Sequence, residues 1–135
     1  MSTPVQEQTA ALQGKAFSVG FTVDDLQRSI DYYSTAFGFA IKRRHEAEGK
    51  LVFVEMEAGN CWIGLGQDDF AKGRNRMKGV GLRFWITTDQ DLLALAARVK
   101  AAGVPLEGDP APLPWGPLAF SFTDPDGFKF TISNG

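Results

Sequence analysis

Apolar residues alternate with polar or small ones along two stretches of the chain, and both stretches predict the same order of elements. The first begins with a strand that has one apolar face, formed by Val19, Phe21 and Val23. A helix follows, which Asp24 or Asp25 can cap and Gly38 ends. Its apolar stripe is Leu26, Ile30, Tyr33 and Phe37. A second strand after Gly38 completes this strand–helix–strand unit.

The second stretch repeats this order from Gly81 to about Gly108, at an offset of roughly 63 to 65 positions. Its strand carries Leu82, Phe84 and Ile86 on the apolar face. Thr88 and Asp91 form a pair similar to a capping box at the start of the next helix. The stripe of that helix is Leu92, Leu95, Ala96 and Val99. Two paired modules are therefore predicted, with their helices on the outside of the molecule, packed against the sheets.

The remaining segments predict further strands. LVFVEMEAGNCWIGLG (residues 51–66) contains a turn near Gly59 and Asn60, and FSFTDPDGFKFTI (residues 120–132) is typical of a hairpin. Four prolines in residues 107–117 favour an extended loop. We therefore predict one domain over residues 15–135, made of modules at about 16–68 and 79–134. Residues 1–14 form a polar tail that is either frayed or a short helix.

Two motifs in this order, VDDLQRSIDYYSTAFGF (residues 23–39) and the closing FSFTDPDGFKFTI, resemble the vicinal oxygen chelate superfamily. That superfamily holds glyoxalase I, bleomycin-resistance proteins and extradiol dioxygenases, and the resemblance covers about residues 17–134. It implies an α+β fold in which two βαβββ modules form a curved eight-stranded sheet around a central cavity. It also implies that the protein is a homodimer.

In the enzymes of that superfamily four side chains, normally His, Gln or Glu, hold a divalent metal. The resemblance aligns those four positions with Ser18, Gly64, Gly81 and Thr131 of this chain. Strand alternation puts all four on the face opposite the apolar residues, toward the cavity. Hydroxyls are poor ligands for zinc, iron or manganese, and glycine has no ligating side chain. We therefore predict no metal site and no cofactor.

Other catalytic chemistry has few candidates. His45, the single histidine, lies in a charged stretch and is predicted to be a solvated hairpin residue, whereas Cys61 is predicted to be a small buried apolar residue. Glu55 and Glu57 share a strand face, where they are either a general base in the cavity or charges on the outside, and the outside is favoured. The basic stretch around Lys72 to Lys78 is predicted to be a solvated linker rather than an anion clamp.

The cavity face is predicted to suit a flat organic molecule. Two glycines at ligand positions enlarge the space, and aromatic rings and cations point into it. The predicted ligand-binding residues are Ser18, Trp62, Gly64, Gly81, Arg83, Trp85, Trp115, Lys129 and Thr131. An alternative for each tryptophan remains open, namely that the ring only fills the interface between the modules.

Length and composition agree with one compact domain, since the chain has 135 residues of which 44% are hydrophobic. The net charge of −2 and pI near 5.3 favour neither nucleic acid nor an acidic membrane as a partner. One cysteine cannot form an internal disulfide, and no secretory signal or membrane-spanning run is evident. A soluble, cytoplasmic protein is expected.

Three hypotheses about function follow. The first is a metal-free binding protein that holds an aromatic or amphipathic small molecule, as in the sequestration of an antibiotic or natural product. The second is an enzyme of the glyoxalase, lyase or dioxygenase type with an atypical site. The third is an interaction protein whose cavity is filled by its own side chains.

Overall fold

The computed structural model describes residues 11–135, which form two four-stranded sheets and two helices. In chain order the elements are β1 (Val19–Val23), α1 (Leu26–Phe37), β2 (Ala40–Ala47), β3 (Lys50–Ala58), β4 (Cys61–Gln67), β5 (Phe84–Thr87), α2 (Leu92–Ala101), β6 (Ala111–Pro112), β7 (Leu118–Thr123) and β8 (Lys129–Ser133). Most of the predicted tail lies outside the described residues, and residues 11–14 have no helical structure.

The two sheets have the same topology, which confirms the α+β fold of two βαβββ modules. The first has the strand order β1-β4-β3-β2 and the second β5-β8-β7-β6. In each, the strand before the helix pairs in parallel with the last strand of its module, and the other pairs are antiparallel. The eight strands remain two separate sheets that do not close into a barrel.

Both helices begin at an aspartate. Asp25 caps α1, as predicted, because its carboxylate accepts a hydrogen bond from the Arg28 backbone N–H at 3.1 Å, and Gly38 ends the helix with a φ of 74°. Asp91 caps α2 through the Ala94 N–H. The prediction of Thr88 as the cap of α2 was wrong, since Thr88 instead accepts a hydrogen bond from the Gln90 N–H. Within residues 11–135, neither helix is long and apolar enough to cross a bilayer.

The strand predicted from Gly81 begins three residues later, at Phe84. Gly81 lies in a turn with a φ of 76°, a conformation that favours glycine. Leu82 is exposed, so only Phe84 and Ile86 of the predicted apolar face pack against the core. The alternation was therefore correct over a shorter strand than predicted.

One apolar core joins the two modules. The ring of Phe21, on β1, stacks on Phe128 with centroids 4.3 Å apart and meets the edge of Phe130, on β8. Helix α1 contacts its own strands β3 and β4 and also the second sheet, where Phe37 stacks on Phe122 at 4.6 Å. The helix therefore packs against both sheets, rather than covering the outside of one as predicted.

Each sheet turns its other face away from this core, and we call these the outer faces. On β4, Gly64 alternates with the buried Ile63 and Leu65, and on β8, Thr131 alternates with the buried Phe130 and Ile132. Because neighbouring residues of a strand point to opposite faces, Gly64 lies on the outer face of the first sheet and Thr131 on that of the second.

The DPDG turn between β7 and β8 holds a buried carboxylate, Asp124. The Tyr33 hydroxyl, from α1, donates to it at 2.6 Å, and the backbone N–H groups of Asp126 and Phe128 donate at 2.9 Å each. Burial raises the pKa of Asp124, although these hydrogen bonds act in the opposite direction. The same burial, together with the negative charge of Asp124, raises the pKa of Tyr33.

Asp126 in the same turn binds the beginning of α1. Its carboxylate accepts from the Asp24 backbone N–H at 2.8 Å and from the Ser29 hydroxyl at 3.3 Å, and lies 3.4 Å from an Arg28 guanidinium nitrogen. A carboxylate near the first turn of a helix also interacts favourably with the helix dipole. The turn of the second module thus fixes the helix of the first.

The basic stretch between the modules is not simply a solvated linker, because the Lys78 side chain is buried. Its ammonium pairs with Asp68 at 3.0 Å and with Asp24, and Arg76 also binds Asp68 at 3.3 Å. Burial alone would lower the pKa of Lys78, but the hydrogen bonds to the two carboxylates outweigh it and raise that pKa. The hydrogen bond from Lys78 lowers the pKa of Asp68 in turn.

The adjacent tyrosines provide a matched test of the contact between the modules. Tyr33→Phe should lower the free energy of unfolding by about 1–3 kcal/mol, because it removes a donor from a buried carboxylate. Tyr32→Phe should change it by less than about 0.5 kcal/mol or raise it, since the Tyr32 hydroxyl is buried without a partner among the described residues. Urea unfolding of both variants measures the difference, and equal losses would contradict the assignment.

Candidate functional site

The outer face of the second sheet carries a hydrogen-bonded polar group centred on Thr131. An Arg83 guanidinium nitrogen donates to the Thr131 hydroxyl oxygen at 3.1 Å, and the Ser121 hydroxyl lies 2.8 Å from the same oxygen. Ser121 and Thr131 are opposite each other on β7 and β8, so the sheet itself fixes their distance. The guanidinium is thereby held against the sheet, while about a third of the Arg83 side chain stays exposed.

Two tryptophans stand beside this group. The rings of Trp85 and Trp115 have centroids 6.3 Å apart at an angle of 44°, and both residues are more than half exposed. Trp85 is opposite Thr131 in the β5–β8 pairing. A cleft of about 400 Å³ is lined by Arg83, Trp85, Ser121, Thr131, Glu107 and Asp109, among others.

The loop that carries Trp115 is a hydrogen-bonded turn. The Leu113 N–H donates to the Pro117 carbonyl at 2.7 Å, and the Gly116 N–H donates to the Leu113 carbonyl at 2.9 Å. Gly116 has a φ of 117°, which favours glycine. The sequence predicts an extended loop here, whereas in the structure a hydrogen-bonded turn sets Trp115 next to Trp85.

On the outer face of the first sheet, a phenylalanine ring fills the space above Gly64. A Cβ placed on Gly64 would lie 2.7 Å from Cζ of Phe53, and one on Gly66 would lie 3.7 Å from that ring. The ring comes from β3, where Phe53 is opposite Gly66. The expectation that glycine at position 64 enlarges a pocket was therefore wrong in this structure.

Glu55 and Glu57 lie on this same outer face. Glu55 is opposite Gly64 and Glu57 is opposite Trp62. Glu57 forms an ion pair with Lys42 at 3.1 Å, and both glutamates are half-buried. Both glutamates therefore share the face of the aligned ligand position Gly64. His45 is exposed on β2, opposite Phe53, and Cys61 is half-buried.

A second cleft, of about 320 Å³, follows the seam between the two sheets. Ser18, immediately before β1, lines it together with Trp62 from β4. Arg83 and Trp85 line it from the second module, so these two residues border both clefts. The predicted residues Ser18, Trp62, Arg83 and Trp85 are thus brought together.

The other predicted residues are more scattered. Thr131 joins Arg83 and Trp85 in the larger of these two clefts, and the ring of Trp115 lies beside that of Trp85 at an angle of 44°. Gly64 lies under Phe53 on the other sheet, Gly81 is in the turn before β5, and Lys129 is exposed at the start of β8. Of the four aligned ligand positions, Gly64 and Thr131 therefore lie on the outer faces of different sheets, whereas Ser18 and Gly81 precede β1 and β5.

The residues at these four positions do not fit a divalent metal. Thr131 is the only buried hydroxyl among them, and it is engaged by Arg83, whose positive charge opposes a cation at the same place. Gly64 and Gly81 offer no side-chain ligand. Within residues 11–135, no three His, Cys, Asp or Glu side chains are placed to hold a metal ion.

Sequence reasoning missed Ser121 on the outer face of the second sheet, and it missed that the Phe53 ring covers Gly64. Ser121 alternates with Phe120 and Phe122, and a hairpin centred on DPDG would have placed it opposite Thr131. Strand alternation puts Phe53 on the face of Glu55, but it does not show which way the Phe53 ring bends. Glu107, which lies 4.0 Å from Arg83, is in a loop that carries no periodic signal.

A model of the Glyoxalase/Bleomycin resistance protein/Dioxygenase superfamily matches residues 15–132. The match spans most of the chain and agrees with the two modules seen in the structure. The chain belongs to this superfamily.

Two curated relatives carry an enzyme name. The lactoylglutathione lyase GLX1 of Arabidopsis thaliana is 27% identical over 84% of this chain, and a putative lactoylglutathione lyase of Brassica oleracea is 26% identical over the same share. The chain spans only 42% of the length of either relative.

Several solved structures share the fold. TioX from Micromonospora has a TM-score of 0.73 at 19% identity, with 90% of this chain and 98% of that chain covered. A glyoxalase-related enzyme from Fulvimarina pelagi has a TM-score of 0.71 at 19% identity, with 92% and 89% covered. At such identities these similarities establish the fold alone.

Proposed function

We propose that this protein binds a small planar aromatic molecule on the outer face of its second sheet, without metal-dependent catalysis. The observation that carries the proposal is the guanidinium of Arg83, fixed against Thr131 beside the rings of Trp85 and Trp115. Sequestration of an antibiotic or other natural product is the role that we infer for such binding.

Arg83 supplies an oriented positive charge. A guanidinium has five N–H donors in a rigid fork, and Thr131 accepts from one of its nitrogens. The remaining charged partner, Glu107, is 4.0 Å away, at the outer limit for an ion pair, and is itself 46% exposed. Glu107 forms no hydrogen bond with Arg83 at that distance, whereas a carboxylate on the ligand could accept a charge-assisted one, so an aromatic acid is the preferred ligand class.

The tryptophan pair supplies the surface for the ring. Exposed indole rings that are not packed in the core are available for stacking, and stacking adds to the gain from apolar burial. The cleft volume of about 400 Å³ lies within the range of small-molecule pockets. The third hypothesis was a cavity filled by the protein's own side chains. The Phe53 ring does fill the space above Gly64, but this cleft is open.

The role of Arg83 can be tested with two nitroaromatic probes of the same shape. Saturable quenching of tryptophan fluorescence is expected with 4-nitrobenzoate. Arg83→Gln should weaken binding of this acid about tenfold or more, because a charge-assisted hydrogen bond is lost, and should barely change binding of neutral 4-nitrobenzyl alcohol.

Arg98→Gln, in the last turn of α2, is the matched control and should bind both probes as the parent does. Trp85→Phe should remove much of the quenching. The proposal fails if neither probe gives saturable quenching, or if Arg83→Gln binds the acid as tightly as the parent.

We also propose that two copies of the chain associate. Apolar side chains remain exposed in and directly before β5, namely Val80 at 67%, Leu82 at 55% and Trp85 at 52%, with Trp115 at 66% beside them. Exposed apolar groups concentrated in one region are typical of association surfaces. A second copy would cover part of this region and enclose the ligand cleft, which is open in the single chain.

Leu82 and Leu93 test the dimer, since they are exposed to similar extents in different places, before β5 and on α2. Leu82→Asp should shift the protein toward monomer in sedimentation velocity, because it puts a charge into the apolar contact. Leu93→Asp should leave the distribution unchanged. A parent protein that sediments as a monomer at high micromolar concentration would contradict the dimer.

The alternative function is an enzyme with an atypical site. It is favoured by one observation, the position of the half-buried Glu55 carboxylate opposite Gly64 on the outer face of the first sheet. The lyase names of the two plant relatives agree with it only weakly, given their much greater length.

Metal analysis separates the two functions. We expect substoichiometric metal in protein purified without chelator, and no turnover of the methylglyoxal–glutathione hemithioacetal with added zinc, nickel, manganese or ferrous iron, because the aligned positions lack ligands. Tight stoichiometric metal, or turnover that Glu55→Gln abolishes, would favour the enzyme. Glu46→Gln, at an exposed position on β2, is the control for that substitution.

A further inference from the structure

A third cleft, of about 610 Å³, lies between the modules away from the outer face of the second sheet. It is bordered by the C-terminal end of α1, the turn between β3 and β4, and the segment that joins β5 to α2. We call it the inter-module cleft. Its volume is within the range typical of small-molecule sites.

The floor of the inter-module cleft is apolar. It consists of residues from both modules and both helices, namely Phe37, Phe39, Ile86, Leu95 and Ile132. Ile132 is buried, and the other aliphatic residues pack partly against the core. Such a floor can remove about one ring or a short alkyl chain from water.

The rim is polar and contains a single charged side chain. Asn60, Thr87, Thr88, Asp89 and Gln90 form it, and Asp89 is the one ionisable acid or base among the lining residues apart from the Cys61 thiol. Within residues 11–135 the Asp89 carboxylate has neither an ion pair nor a side-chain hydrogen bond, whereas the neighbouring Asp91 is committed to capping α2. The charge of Asp89 is therefore available to a ligand.

Hydrogen bonds hold the rim segment in place. The Thr88 N–H donates to the Ser133 carbonyl at 2.9 Å, which ties the segment to the end of β8. The Thr88 hydroxyl donates to the Gln90 side-chain oxygen at 3.0 Å and accepts from the Gln90 N–H at 3.2 Å. Binding at a segment that is already ordered costs less conformational entropy.

We propose that the inter-module cleft is a second binding site, for an amphipathic ammonium compound. The ammonium would pair with Asp89 and donate to the Asn60 or Thr87 side-chain oxygen, while the apolar part rests on Phe37, Phe39 and Leu95. The site at Arg83 has the opposite charge preference, so the two clefts would sort ligands by charge. This second site does not depend on the function proposed above.

Three probes of one shape but different charge test the site: phenethylammonium, 2-phenylethanol and 3-phenylpropionate. Backbone amide chemical shifts should change with phenethylammonium at residues 59–61 and 87–90. Affinity should fall from the ammonium to the alcohol to the acid. Asp89→Asn should weaken binding of phenethylammonium about fivefold, as expected for a partly exposed ion pair, and Asp89→Lys should weaken it further.

Glu46→Gln removes the same charge from an exposed position outside this cleft and should leave phenethylammonium binding unchanged. The proposal is overturned if the shifts are confined to Trp62, Trp85 and Trp115, if the alcohol binds as tightly as the ammonium, or if Asp89→Asn has no effect. Shifts at residues 87–90 with normal 4-nitrobenzoate quenching would show two separate sites. Absence of 4-nitrobenzoate quenching, with the shifts at residues 87–90 retained, would count against the site at Arg83 and would still support binding in the inter-module cleft.

Discussion

The relative position of the two modules depends on a buried carboxylate shared between them. Asp124 belongs to the turn of the second module, and its strongest side-chain partner, the Tyr33 hydroxyl at 2.6 Å, belongs to the helix of the first. Removing a carboxylate from water is costly, so the loss of any of its donors destabilises the folded state. The apolar interface between the modules therefore also contains a directional contact, which helps to fix how the two modules are oriented. That orientation sets the directions of both outer faces and leaves the clefts between the modules.

Much of this architecture could be predicted from the sequence because local physical rules determine it. Alternation placed Phe21 and Val23 in the core, helical spacing identified Leu26, Ile30 and Tyr33, and Asp25 and Gly38 bounded the helix. The same parity correctly separated Gly64 and Thr131 from the apolar face. These patterns report which way a residue points relative to its own strand or helix, and that information is contained within a few positions.

What could not be predicted depends on contacts between distant segments. The prediction of one cavity shared by four aligned positions assumed that the two outer faces meet, yet within one chain they are turned away from a common core. Lys78 looked like one cation in a basic linker, but its two partners are 54 and 10 positions away along the chain. The polar rim that contains Asp89 is likewise held by a contact between distant positions, because the Thr88 N–H donates to the Ser133 carbonyl at the end of β8.

The packing of Phe53 over Gly64 has a consequence for any attempt to install a metal ligand at position 64. A side chain at position 64 would overlap the ring at 2.7 Å, so a glutamate or histidine cannot be installed there while the phenylalanine keeps its present rotamer. The aromatic residue must shrink or swing aside first, and only then is a ligand tolerated. A side chain at position 64 is therefore coupled to the rotamer of Phe53, and moving that ring aside exposes apolar surface.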